Sequence, residues 1–255
     1  MSLLLKKGKS WVTSVIYLTV LFWAQEKLKG KHMKKIIIST IAALILLVTH
    51  PVIAKEFYIE GSIGHYDIDD VDTTRTSGTA SGITFTNLGG ALEYDADTTL
   101  GFEFGVKFND KVRIGFSYVD VSLDFEGANI SGSVTVGATT ISEARVTPAD
   151  ASALGLTFSN DAEIMMIKAY YDFNTFSNGL TPFVGFGIGQ ADMDNATDDE
   201  TIMSLTAGAR YSINEKAYVG AKVSFMEIDG PDDGLGIQYE DIELTSFEVV
   251  VGTSF

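Results

Sequence analysis

The chain has no cysteine, and that absence removes disulfide frameworks, thiolate metal sites, cysteine nucleophiles and a lipidated N-terminal cysteine together. Support for the fold must come from packing and hydrogen bonding. Basic residues are few: 18 Lys and Arg stand against 34 Asp and Glu in 255 residues, a net charge of -16. A surface that tracks a phosphate backbone needs clustered positive charge, so nucleic acid is not an expected partner. Proline is scarce at 4, whereas glycine reaches 25 and aromatics 11%, a balance that fits an all-β chain better than a helical one.

Long apolar runs are confined to the first 54 residues. Met33 is followed by Lys34 and Lys35, by the 14-residue run Ile36 to Thr49, and by Val52 and Ala54 at the positions a signal peptidase reads. That run is short for a membrane helix, which needs about 20 apolar residues. Residues 33–54 therefore read as a secretory signal peptide, cut between Ala54 and Lys55, with 55–255 as the mature domain. Residues 1–32 carry a second run, Trp11 to Ala24, flanked by lysines. Two tandem signals have no evident use, so 1–32 is read as an upstream segment before the true start; one long leader or an inner-membrane anchor is the alternative. Removing 1–54 takes away eight Lys and one Glu, leaving 10 basic against 33 acidic residues, a net of -23. With no later apolar run of 18 residues, a membrane-spanning mature chain would have to be a barrel.

The strands have the period a barrel needs. In LGFEFGVKF, Leu100, Phe102, Phe104, Val106 and Phe108 share one face while Gly101, Glu103, Gly105 and Lys107 share the other. The same alternation recurs from Phe57, Val112, Met165, Pro182, Met203, Val219 and Phe247, giving eight strands. Asn109-Asp110-Lys111, residues 174–180 and Asn214-Glu215-Lys216 are short turns, whereas 66–98, 120–161, 191–201 and 228–241 are expected to be long polar loops. Short turns at one end and long loops at the other describe an all-β, eight-stranded antiparallel up-and-down transmembrane β-barrel of the outer-membrane type.

The segment Lys168 to Ala191, KAYYDFNTFSNGLTPFVGFGIGQA, resembles the Tyr-Asp-Phe turn and the following TPYVGxGxG strand of the opacity-porin and OmpA-like outer-membrane barrel families of Gram-negative bacteria. The end of the chain resembles their assembly signal, with Phe255 last and Phe247, Val249 and Val251 at alternate positions before it; Thr253 is weaker than usual. The resemblance implies export to the outer membrane through a cleaved signal, contact with outer-membrane lipid and lipopolysaccharide, and passage through periplasmic chaperones and the barrel-assembly machinery. With Phe255 as the last residue, the expectation is a barrel without the peptidoglycan-binding domain that many OmpA-like proteins append.

Strand parity turns Glu60, Glu103, Asp172 and Glu248 inward together with Lys107, Arg113, Lys168, Arg210 and Lys222. An unpaired ion in a narrow lumen would lose several kcal/mol of solvation, so these charges are expected to pair. They read as a static plug of salt bridges and aromatics, Tyr58, Tyr170 and Phe183 among them; a switchable gate is the sharper alternative. The acidic loops hold Asp67, Asp69, Asp70 and Asp72, then Asp192, Asp194, Asp198, Asp199 and Glu200, then Asp229, Asp232, Asp233, Glu240 and Asp241. None reproduces a calcium-loop pattern, so no metal is expected, and any extracellular ligand of these loops is left open. The mature chain's one histidine, His65, forms no known catalytic motif with Ser62 or Asp67, and no cofactor is expected. The reading is a non-enzymatic barrel with a structural or surface-interaction role, in adhesion or envelope integrity. A narrow porin-like channel is the alternative, and a lipid-modifying enzyme a distant third.

Overall fold

The computed structural model describes residues 56–96, 98–153, 160–194, 196–232 and 237–255. The chain divides into two units, Met1–Ile53 and Ala54–Phe255. The first unit, with the upstream segment and nearly all of the expected signal peptide, lies outside the described residues, as does the Ala54–Lys55 cleavage point.

Eight strands close a ring: β1 (Glu56–Ile68), β4 (Thr98–Lys107), β5 (Val112–Val136), β8 (Asn160–Asp172), β9 (Leu180–Met193), β10 (Glu200–Ser212), β11 (Ala217–Ile228) and β12 (Ile242–Ser254). All neighbours run antiparallel, β5 pairs β8, and β12 returns to β1 to complete the circle. Closure leaves no sheet edge within the membrane, which is the condition for strands to span lipid. Among the described residues no helix is long and apolar enough to cross a membrane.

The outward faces carry the lipid belt, with Leu100, Phe102, Leu205, Phe225 and Val251 all exposed. Val106 lies on that face but is buried, flanked across the ladder by Phe57 and Ile114. The short turns are built by asparagine. Asn109 Oδ1 accepts from the backbone N–H of Lys111 and Val112 at 2.8 and 2.9 Å, and Asn214 Oδ1 does the same for Lys216 and Ala217 at 2.9 and 2.8 Å. This side-chain mimic of a backbone turn is what makes N-x-K a turn signal in this chain.

The first two long loops are folded, contrary to the sequence-based expectation. Residues 66–98 contain the end of β1, β2 (Val71–Ala80) and β3 (Ile83–Ala96). The two-residue connection Ser81-Gly82 has positive φ at both positions, as a tight hairpin of this hand requires. Within 120–161, β5 runs on to 25 residues, followed by β6 (Thr139–Ser142), β7 (Arg145–Val146) and α1 (Pro148–Ala153). Since about 9 to 11 residues cross the bilayer, more than half of β5 stands outside it. β3 pairs this outer half and β4 the inner half, so the two strands together line β5 along its length, and the chain turns from β4 into β5 at Asn109. The lobe was missed because its Thr, Ser and Gly residues mimic loop composition while pairing locally.

Candidate functional site

The inward face of the ring changes character along its length. At the end bearing the short turns and both termini of the barrel it is charged and aromatic. Toward the loop end the same parity positions become apolar: Tyr66 and Ile68 on β1, Val121 and Leu123 on β5, Ile164 and Met166 on β8, Ile202 on β10, Met226 and Ile228 on β11, and Ile242 and Leu244 on β12 form one buried cluster. Tyr66, Ile68, Val121, Leu123 and Ile228 fall in segments expected to be long polar loops, and their place in this buried apolar layer corrects that expectation. The alternation inverts there, with exposed Asp67, Asp120, Ser122, Glu227 and Glu243 on the outward parity between buried apolar residues, so these strand ends share the polar composition of loops.

In the charged layer, Glu60, Glu103, Arg113, Lys168, Asp172, Arg210, Lys222 and Glu248 are all buried. They form two groups. In the first, the Arg113 guanidinium lies 3.4 Å from Asp172 Oδ1 and 3.7 Å from Glu103 Oε1, and Arg210 meets Asp172 Oδ2 at 2.5 Å. Glu103 receives the Tyr58 hydroxyl at 2.5 Å and the Tyr170 hydroxyl at 2.6 Å. The Arg113 guanidinium sits over the rings of Tyr170, Phe183 and Tyr58, 3.8, 4.7 and 5.4 Å from their centroids. A desolvated cation over an aromatic face gains about 2 kcal/mol, which helps to hold a guanidinium whose Nη1 has no hydrogen-bond partner among the described residues.

In the second group, Lys222 bridges Glu60 at 3.3 Å and Glu248 at 3.2 Å, and the Tyr218 hydroxyl donates to Glu60 at 3.0 Å. Lys168 is buried with no ion-pair partner among the described residues; it lines a void of about 10 Å³ shared with Glu60, Glu103, Lys222 and Glu248, about the room one water needs. Lys107 stands apart, near the inner mouth, with Glu56 at 3.1 Å and Ser254 Oγ at 2.5 Å. Glu56 and Tyr218 were missed by the sequence reading, although Tyr218 shares Lys222's parity on β11 and could have been found by it.

Large rings in a narrow lumen need empty space opposite. Gly105 and Gly115 face Tyr58, and Gly185 faces Tyr170, each where a Cβ would collide with the ring or hydroxyl. At the seam, Phe57 and Phe255 exchange backbone hydrogen bonds of 3.1 and 2.9 Å and stack with centroids 6.2 Å apart. Phe247, Val249, Val251 and Phe255 all face outward and are exposed.

Among the described residues no group of three His, Asp or Glu has the arrangement to hold an ion, and Asp233 lies outside them. Burial first, and then Asp192 and Asp198, push the Asp199 carboxyl up; burial and then Asp229 and Asp232 do the same for Glu200. His65 is exposed on the outer side of β1, away from Ser62 on the inward parity.

The family model described as outer membrane protein β-barrel domain matches residues 40–255. OprG from Pseudomonas aeruginosa is similar at 16% identity and a TM-score of 0.48, over 80% of this chain and 97% of that one. Neisserial surface protein A gives 12%, 0.45, 78% and 97%, and the outer-membrane protease OmpT of Escherichia coli 10%, 0.39, 79% and 97%. No curated protein matches. The closed eight-stranded ring with its lipid belt and the family match over 40–255 together make this chain a member of the outer membrane protein β-barrel domain family, resident in the outer membrane of a Gram-negative bacterium.

Proposed function

We propose that the protein is a closed, non-enzymatic barrel whose work is done at the cell surface, as an envelope-stabilising or surface-interacting protein. The observation that carries this reading is the doubly filled lumen: a paired charge layer around Arg113 and Glu103 lies beneath an apolar layer around Ile164 and Ile202. A solute path needs continuous water, and an apolar constriction this narrow dewets. The mass of the protein outside the membrane supports the same reading, because β2, β3, the outer half of β5, β6, β7 and α1 build a folded lobe that a bare pore does not need. The narrow-channel reading rests on the buried charges alone and would require both layers to open.

The test is conductance of the refolded protein in a planar bilayer. Rare, small openings are expected. Frequent large openings in the wild type would overturn the closed-barrel reading in favour of a channel.

A further inference from the structure

The extracellular lobe contains an apolar pocket that the closed-barrel reading does not use. It has a volume of about 100 Å³ and lies between two small cores, one built on Ile83, Phe85, Leu88 and Ile237 and the other on Ala128, Val146 and Ala151. Its walls come from six parts of the chain, among them Phe85 and Leu92 of β3, Ala128 and Ile130 of β5, Ile141 of β6, and Ile237. The concavity follows from the strand geometry. Register shifts between Thr86 and Gly89 and between Glu93 and Tyr94, positive φ at Asn87, Gly90 and Gly132, and Glu126 as the extra residue of a bulge all curl the ribbon, since each bulge bends its strand and deepens the local twist. On one side the strap carrying Val146 is pinned by Arg145, which grips both oxygens of Glu93 at 2.5 Å. The wall is thus held in place with the space still inside it.

The geometry points to a binding site for a small neutral apolar molecule, of the size of one benzene ring or a short alkyl chain, in this lobe pocket. Its volume is of the order of the engineered cavity of about 150 Å³ that takes benzene, and an apolar lining of this kind holds water poorly. The charge around it selects against anions: Asp72 and Glu240 directly adjoin the lining residues Thr73 and Tyr239 in sequence, Glu93 beside Leu92 is matched by Arg145, and the chain as a whole is strongly acidic. A fatty-acid carboxylate or a lipid phosphate would meet that field, whereas an uncharged hydrocarbon would not. The pocket is too small for a helix or a peptide strand.

The test uses the protein reconstituted in lipid nanodiscs with labelled Ile, Leu and Val methyls, titrated with benzene and separately with hexanoate. Saturable benzene shifts at Ile83, Ile130, Ile141 and Ile237 are expected, while Ile59 and Ile188 on the lipid belt drift without saturating. Ala128→Leu, which fills the space, should weaken the saturable binding at least tenfold. Equal, unsaturable drift at lobe and belt methyls would overturn the proposal, and so would undiminished binding by Ala128→Leu. Hexanoate saturating at the same concentration as benzene would overturn the neutral-ligand assignment. A dimer competed apart by benzene would make a second copy's side chain the occupant and overturn it likewise.

Discussion

Glu103 illustrates how a buried carboxylate is held when its cation is not in direct hydrogen-bond contact: Arg113 is 3.7 Å away, while the close donors are the hydroxyls of Tyr58 and Tyr170. Hydrogen bonds to a charged group contribute roughly 1.5–3 kcal/mol each. Tyr170→Phe and Tyr58→Phe should therefore each lower the melting temperature, read by heat-modifiable migration. The double variant should fall short of or exceed the sum, because both act on one carboxylate. Arg113→Ala removes the cation from three rings and from Asp172, and breaking a buried pair costs about 3 to 5 kcal/mol; Lys107→Ala at the inner mouth should cost far less. Alternation alone placed these charges on one face, since side-chain direction in a strand has a period of two. The partners were not legible, because Lys222 reaches Glu60 across an intervening strand and Asp172 reaches Arg210 in the same way. Such contacts depend on strand tilt and stagger, which local sequence does not encode.

The seam strands and the lobe strap behave as separate elements. Phe255 follows the last residue of β12 with its backbone bonded to Phe57 and its ring stacked there, so deleting it removes a closing pair, and on the proposed resemblance to an assembly signal it would remove that signal's aromatic end too. Deletion of Phe255 should lower outer-membrane levels and raise periplasmic degradation; an unchanged amount of heat-modifiable barrel in the membrane fraction would count against it. The strap is expected to respond to acid. Hydrogen bonds from Arg145, helped by Asn129, hold the Glu93 carboxyl below its usual range, and the Thr147 side chain and backbone do the same for Asp150 at the start of α1. Both folded values are depressed, so their contribution is complete above the ordinary carboxylate range near pH 4 and is lost as pH falls through the depressed values. Amide protection across Arg145–Val146 should therefore drop on acidification more than protection in β12, and Glu93→Gln should remove most of that step. The eight ring strands were legible because each has one lipid face of large apolar residues. The strap and the β2–β3 hairpin were not, because strands in water with Thr, Ser and Gly on both faces lack that contrast.

At the scale of the whole molecule the lumen is two barriers in series, and series barriers make a prediction that a single plug does not. If the charge layer alone closed the barrel, Arg113→Ala would hydrate it and raise conductance while lowering stability. With the apolar layer of Ile164, Met166, Ile202 and Ile228 above it, opening the lower layer leaves the upper one dry, and an ion still pays the desolvation cost there. Arg113→Ala should therefore melt earlier yet conduct no more than wild type. Enlarging the upper layer by Met166→Ala with Ile202→Ala should also destabilise, by about 2 to 5 kcal/mol for each truncated side chain, and should likewise stay closed because the charge layer beneath is intact. Only the combination opens a continuous wet path, so the triple variant should show stepwise conductance in a planar bilayer that neither parent shows. Conductance rising fully in Arg113→Ala alone would mean that the apolar layer is no barrier, and the surface role would then lose its main support against the channel reading.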